Sequence, residues 1–207
     1  MSIYDGDNYS TANSTIDEIK NEFIYFLLDD HNSVDRIMNK YLLFGIPYIY
    51  KNDEDLYFDL KEEISNHFNI QQTQIFVVGS AKLGFSIAPT KRFKVFDDDS
   101  DIDIAIIDSD LFDQFWKDVY TININLISRS ENDDNRYKKF VDYLFKGWIR
   151  PDLLPLKMRS DWFEYFKGLY GRYDRKIAVG IYRDHSFFMG YHRTNIMKLR
   201  EDLKNGI

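Results

Sequence analysis

A change in hydrophobic period near residue 74 constrains the fold more than any other feature of the chain. Before this point, apolar residues recur at helical spacing, as in the segment from Asp53 to Phe68. After it, Gln74–Val78 is a short apolar run that ends at Gly79-Ser80, and Ile102–Ile107 is a second such run. Short apolar runs rich in β-branched residues are typical of buried strands. The sequence therefore predicts at least two sheet strands among helices.

The remaining pattern predicts helices on both sides of these strands. Ser14 and Ser33 precede amphipathic segments and are expected to cap two helices, of which the first ends near Asp30. Further helices are predicted over 111–120, 133–146, 160–169 with Ser160 as cap, and 194–203, together with a hairpin of strands 176–182 and 187–191. This order indicates an α+β fold, with one mixed β-sheet flanked by helices and an amino-terminal helical segment.

At 207 residues the chain is long enough for one full core, so we expect a single domain over residues 1–207. Within it, residues 1–52 form amino-terminal helices, 53–110 form the central part, and 111–207 contain helices, the hairpin and a terminal helix. The absence of cysteine excludes disulfides and thiolate chemistry. The sequence has neither a signal-peptide pattern nor an apolar run of membrane-spanning length, so the expected location is cytoplasmic, with no membrane partner.

Charge is distributed unevenly along the chain, whose net charge is −7. Residues 1–70 hold 5 Lys and Arg against 14 Asp and Glu, whereas residues 146–200 hold 12 against 5. The acidic part could face the chain's own basic part or a protein partner, and the basic part could face phosphates, including those of RNA. Ordinary solvated faces are the alternative interpretation.

Asp101 and Asp103 carry the clearest chemical signal. Strand alternation places both side chains on the same sheet face. Two carboxylates at such a short distance repel each other unless a cation lies between them. Mg²⁺ or Mn²⁺ would relieve that repulsion and could also bind triphosphate oxygens. At Gly79-Ser80, glycine allows the backbone to approach a phosphate and the serine hydroxyl can donate to its oxygens. The two elements together predict a site for a metal-bound nucleoside triphosphate.

The segment Val78-Gly-Ser-Ala-Lys-Leu-Gly-Phe-Ser86, followed by Asp99-Ser-Asp-Ile-Asp-Ile104, resembles the signature of the polymerase-β-like nucleotidyltransferase superfamily. The form of the glycine motif and its long spacer are similar to those of the oligoadenylate and cyclic-oligonucleotide synthases and their bacterial immunity relatives. The resemblance covers residues 53–110. It implies a nucleotidyltransferase-like sheet and a setting in antiviral defence.

The resemblance also implies roles for individual residues. Gly79 and Ser80 match the phosphate-binding turn, and Asp101 and Asp103 match the first two metal-binding carboxylates, which are catalytic in that superfamily. Lys82 lies inside the motif and is a candidate phosphate contact, with a solvated lysine as the alternative. The metals of such enzymes activate an attacking hydroxyl and neutralise charge on the α-phosphate and on the pyrophosphate.

The chain departs from the superfamily pattern in two places. Active members have a third carboxylate on a later strand, but the strand predicted over 176–182 has none in its body; Asp184, at its end and in phase with Tyr182, is the only nearby candidate metal ligand. In addition, Asp101 follows Ser80 by 21 positions, and the connection contains Lys91, Arg92 and Lys94. A basic hairpin or loop is therefore expected there.

Three functions remain open from the sequence. The first is metal-dependent transfer of a nucleoside monophosphate from an NTP to an acceptor hydroxyl on a nucleotide, RNA or protein. The second is a binding or regulatory module with the same fold and lapsed chemistry, as in a toxin-antitoxin or phage-defence pair; the missing third acid motivates it. The third is an RNA-end or tRNA modifier that uses the basic carboxy-terminal part.

Overall fold

The structure, a computed structural model, describes residues 15–124 and 130–206. Its helices and strands follow one another in the order α1 Ile16–Leu28, α2 Val34–Met38, α3 Glu54–Phe68, β1 Ile75–Val78, α4 Gly79–Leu83, β2 Ile102–Ile107, α5 Ser109–Ile124, α6 Glu131–Phe145, β3 Trp148–Ile149, α7 Leu156–Gly168, α8 Tyr170–Tyr173, β4 Ile177–Tyr182 and α9 His185–Lys204. Within the described residues, no helix is both long enough and apolar enough to cross a bilayer.

The four strands form one mixed sheet in the order β1-β2-β4-β3. β1 runs antiparallel to β2, β2 runs parallel to β4, and β3 runs antiparallel to β4. The parallel pair requires a crossover, because its strands point the same way, and α5, α6 and α7 lie in the connection between them. The α+β class with a mixed sheet and flanking helices is thus confirmed.

The two faces of the sheet are covered differently. Alternate residues of β2, namely Ile102, Ile104 and Ile106, belong to the main core, which also contains residues of α3, α5 and α7. The opposite face carries Ala105 and Ile107, which pack with Tyr182 of β4 and Phe188 of α9. Because α9 begins directly after β4, it covers one end of this face. The other end lines an open cleft.

The amino-terminal helices pack against the last helix. Phe23 and Leu27 of α1, Ile37 of α2, and Ile196 and Leu199 of α9 form a second buried cluster. Residues that lie far apart along the chain therefore share one buried cluster.

Ion pairs join the amino-terminal helices to α9, so that part of the acidic charge near the start of the chain is paired with basic residues of the last helix. Arg193 of α9 pairs with Asp35, and Lys204 pairs with Asp30. Arg200 donates from Nε to the carbonyl oxygen of Leu27 at 2.6 Å. The acidic start of the chain therefore faces the chain's own basic end, which was one of the predicted alternatives. Because these side chains are already paired, they carry less uncompensated charge for a partner.

Two helix starts were predicted correctly. Ser33 and Asp53 cap α2 and α3, their side chains accepting from the backbone N–H groups of Arg36 and Leu56. Ser14 lies outside the described residues, and Thr15 caps α1. The predicted cap at Ser160 was wrong: α7 begins at Leu156, and the Ser160 hydroxyl donates to the Leu156 carbonyl inside the helix.

The predicted hairpin over 176–191 was also wrong. Its first strand is β4, but the Asp184 carboxylate accepts from the N–H groups of Ser186 and Phe187 and thereby caps α9. α9 continues to Lys204 and absorbs the helix predicted over 194–203. The buried residues Phe188, Ile196 and Leu199 lie at helical spacing, so the polar segment at 183–186 is a helix start rather than a hairpin turn.

Candidate nucleotide and metal site

A cleft of about 680 Å³ opens where β1 ends and β2 begins, beside the connection that joins them. Gly79, Ser80, Asp101 and Asp103 all line it, so the structure brings together the four residues on which the predicted site rests. The antiparallel register pairs Val78 with Asp103, which brings the turn after β1 directly beside the second carboxylate.

Gly79 is required at this turn for two reasons. Its φ is +65°, which is strained for residues with a Cβ atom, and a Cβ placed there would lie 2.9 Å from Asp103 Oδ2. Because glycine has no Cβ, the backbone here passes closer to the Asp103 carboxylate than it could with any other residue at position 79. A group bound by the exposed backbone here would also meet Asp103.

Asp103 lines the cleft, and its side chain is exposed to solvent there although many protein atoms surround it. This partial burial, and next the negative charge of Asp101, raise the pKa of Asp103 to about 6. The positive charges of Lys176 and Lys91 act in the opposite direction. A cation bound beside Asp103 would favour the ionised carboxylate.

Asp101 has a partner that the sequence analysis missed. Lys176 lies directly before β4, and its Nζ is 2.7 Å from Asp101 Oδ2. The parallel register pairs Asp103 with Ala178 and Ala105 with Gly180. The strand beside the two carboxylates thus contributes a lysine, an alanine and a glycine to this end of the sheet. Strand alternation in the sequence places residues 176, 178 and 180 on one sheet face. The sequence does not show which residues of β2 lie opposite them.

The basic connection between Ser80 and Asp101 folds back on itself at the rim of the cleft. The N–H of Ser86 donates to the carbonyl of Lys94, and the N–H of Phe93 donates back to the carbonyl of Ser86. Lys91 and Lys94 both line the cleft, and Lys94 also pairs with Asp97. The predicted basic hairpin or loop is present, and it brings positive charge near Asp103.

An aromatic wall on the far side of the cleft was not predicted. It consists of Trp148 on β3, Tyr182 at the end of β4 and Tyr191 on α9, and the Trp148 and Tyr182 rings stack at 5.4 Å between centroids. A Cβ on Gly180 would lie 2.3 Å from Trp148 Nε1, so the indole closes directly over the backbone of β4. With two residues, β3 is too short to give a strand pattern in the sequence.

His192 lines the same wall. Its Nε2 is buried and finds no hydrogen-bond partner within the described chain, and burial lowers the pKa of His192 to about 4. The imidazole packs against the rings of Phe188 and Tyr191. It is therefore a neutral, largely buried part of the wall at pH 7.

Two predicted site residues lie elsewhere. Lys82 is buried and does not line the cleft; its Nζ donates to the carbonyl oxygens of Phe44 and Gly45 at 2.5 Å each. Burial lowers the pKa of Lys82 to about 8, with a further contribution from Lys61. Lys82 thus anchors the amino-terminal part and is neither a phosphate contact nor a solvated lysine in this structure. Asp184 does not line the cleft either, because its carboxylate caps α9.

The two carboxylates could bind one divalent cation but do not by themselves supply a complete set of protein ligands for it. Across the residues that the structure describes, no cluster of three or more His, Asp or Glu side chains could hold a metal ion. Asp101 and Asp103 nevertheless supply the oxygen donors that Mg²⁺ and Mn²⁺ prefer. Mg²⁺ commonly takes one or two carboxylates and completes its ligands with phosphate oxygens and water. A cation would also counter the burial and repulsion that raise the pKa of Asp103.

No protein-family model, characterised protein or solved structure significantly matches this chain. Inferences about function therefore depend on the cleft and its residues.

Proposed function

We propose that this cleft binds a nucleoside triphosphate with a divalent cation and that the protein transfers a nucleoside monophosphate to an acceptor hydroxyl. The observation that carries the proposal is the contact between the glycine turn and Asp103, with Asp101 in the same cleft. A phosphate held by that turn would lie beside the carboxylates that could share its cation. The motif resemblance supports the same assignment.

Each residue has a distinct part in this proposal. The backbone at Gly79 and the hydroxyl of Ser80 donate to triphosphate oxygens. Asp101 and Asp103 hold Mg²⁺ or Mn²⁺, which when bound neutralises charge on the phosphates undergoing displacement. Lys91 adds positive charge at the rim, where it attracts the triphosphate. The acceptor is a nucleotide, an RNA or a protein hydroxyl.

Binding and transfer are tested separately. Calorimetry with each of the four NTPs and Mg²⁺ should detect one nucleotide per chain, and binding should be lost without the metal. Incubation with α-labelled NTPs and candidate acceptors should then move label to a nucleotide, an RNA or the protein itself. If no NTP binds, or if Asp101→Ala with Asp103→Ala leaves binding unchanged, the proposal fails. Asp161→Asn is the matched control, because Asp161 is exposed on α7 outside the cleft.

A second candidate is supported by the strand next to the acids. Lys176, Ala178 and Gly180 occupy positions where a third carboxylate would assist transfer. The protein would then bind the metal-nucleotide without turning it over and would regulate a protein partner, as in a toxin-antitoxin or phage-defence pair. Nucleotide binding without label transfer, together with co-purification of one stable partner, would favour this candidate over the enzyme.

A further inference from the structure

Lys176 is held beside Asp101 by the backbone as well as by its own side chain. The N–H of Ile102 donates to the carbonyl oxygen of Lys176 at 2.8 Å, and the next residues continue as the paired strands β2 and β4. The ammonium donates to Asp101 Oδ2 at 2.7 Å. The sheet thus fixes this lysine next to the first carboxylate of the proposed site.

Arg175 ties together the segments that precede Asp101 and Lys176. Its Nη1 donates to the carbonyl oxygens of Asp97 at 2.6 Å and of Ser100 at 3.3 Å, and its Nη2 pairs with Asp98. The Arg175 side chain is only 18% exposed. These bonds keep the backbone segments that carry Asp101 and Lys176 next to each other, whereas the two side chains themselves remain 38% and 67% exposed.

Within the sheet, Lys176 is the cation that lies beside the two carboxylates. Lys176 already compensates Asp101. β4 then offers only Ala178 and Gly180 alongside β2 and brings no additional carboxylate. A second divalent cation at Asp101 would have to displace the Lys176 ammonium or bind beside it. Binding beside it is unfavourable, because two positive charges at so short a distance repel each other.

We propose that Lys176 acts as a built-in cation on Asp101 Oδ2, so that the cleft takes one divalent cation with each nucleotide, held through Asp103 and the other oxygen of Asp101. The inference rests on the proposed metal-nucleotide binding and specifies its stoichiometry. Lys176 acts through Asp101 and is a positioning residue. Its removal frees Asp101 Oδ2 as a ligand and creates room for a second cation.

The test counts Mn²⁺ per bound nucleotide in the full chain. Each of the four α,β-methylene nucleoside triphosphates is used, because they cannot release pyrophosphate during the measurement. Loss of the free Mn²⁺ paramagnetic resonance signal gives bound metal, and ultrafiltration gives bound nucleotide. We expect one Mn²⁺ per nucleotide in the wild type and in Lys176→Arg. We expect two in Lys176→Met, the second binding at least roughly tenfold more tightly than any second ion in the wild type.

Lys167→Met is the matched control, because it removes one exposed lysine from α7 outside the cleft and should leave the count at one. Two Mn²⁺ per nucleotide in the wild type would overturn this inference but leave the proposed function intact. An unchanged count and affinity in Lys176→Met would also overturn it. If no analogue binds at all, the proposed function fails and this inference fails with it. Thermal melts identify an unfolded variant, in which case the wild type and Lys176→Arg still decide the stoichiometry.

Discussion

The two walls of the cleft differ in how their residues are distributed along the chain. The acidic wall, formed by Gly79, Ser80, Asp101 and Asp103, lies at the adjacent ends of two neighbouring strands, within 25 positions of the chain. The aromatic wall, formed by Trp148, Tyr182, Tyr191 and His192, comes from two strands and a helix spread over 45 positions. The acidic wall offers ionic ligands, and the aromatic wall is largely apolar. We therefore expect changes in the acidic wall to affect binding most and changes in the aromatic wall to affect stability most.

The largest expected effect is the loss of metal-nucleotide binding in Asp103→Asn. This change removes the carboxylate that contacts the glycine turn and that Lys176 leaves free for a cation. Removing one charged partner of a close pair costs about 2–4 kcal/mol, so Kd should rise roughly 30- to 1000-fold in calorimetry with Mg²⁺. The same variant should melt at a higher temperature at pH 7, because it no longer carries a partly buried charge repelled by Asp101. A lower melting temperature with unchanged Kd would contradict the assigned role.

A smaller loss of binding is expected from Gly79→Ala. The added Cβ meets Asp103 Oδ2 and forces a residue with a side chain into a positive-φ conformation, which costs about 1–2 kcal/mol. Kd for the metal-nucleotide should rise about tenfold and the free energy of unfolding should fall by about 1–2 kcal/mol. Gly168→Ala on α7 is the matched control, because its Cβ would meet no atom within 4 Å. Equal effects of the two variants would show that the turn has no special role.

In the aromatic wall, Gly180→Ala should reduce stability more than binding. Its Cβ would overlap Trp148 Nε1, and the displaced indole would lose its stacking on Tyr182. Overpacking of this kind costs about 1–3 kcal/mol, measurable by urea unfolding. Because the acids lie on another strand, Kd for the metal-nucleotide should change less than in Gly79→Ala. A larger binding loss than in Gly79→Ala would place the aromatic wall in direct contact with the nucleotide.

The sequence was sufficient for the acidic wall because its geometry is local. Strand alternation alone places Asp101 and Asp103 on one face, and a glycine at the end of an apolar run predicts a tight turn. The aromatic wall and Lys176 depend on the pairing of β2 with β4, which are separated along the chain by four α-helices and β3. Neither the strand propensity of individual residues nor the hydrophobic period of a segment shows which residues of two distant strands pair with each other. Lys82 shows a related limit, because nothing in the motif indicates that its amine turns inward to the carbonyls of Phe44 and Gly45.

The smallest predicted effect is the net pH dependence of stability in the wild type, because the contributions of the two walls oppose each other. Burial lowers the pKa of His192 to about 4, so between pH 6.5 and 4 the unfolded chain holds a proton that the folded chain does not, and stability falls as pH falls. The pKa of Asp103 is raised from 3.8 to about 6, so between those values the folded chain holds the extra proton and stability rises as pH falls. In the wild type the two contributions largely offset each other.

Asp103→Asn should therefore expose the His192 contribution. Its free energy of unfolding should fall between pH 6.5 and 4 more steeply than that of the wild type, by at most about 1.4 kcal/mol per pH unit. His192→Phe should give the opposite change, with stability increasing relative to the wild type as the pH is lowered through this window. Urea unfolding at half-unit pH intervals measures both slopes. Parallel curves for the wild type and both variants would mean that neither wall contains a group that titrates differently in the folded and unfolded chains.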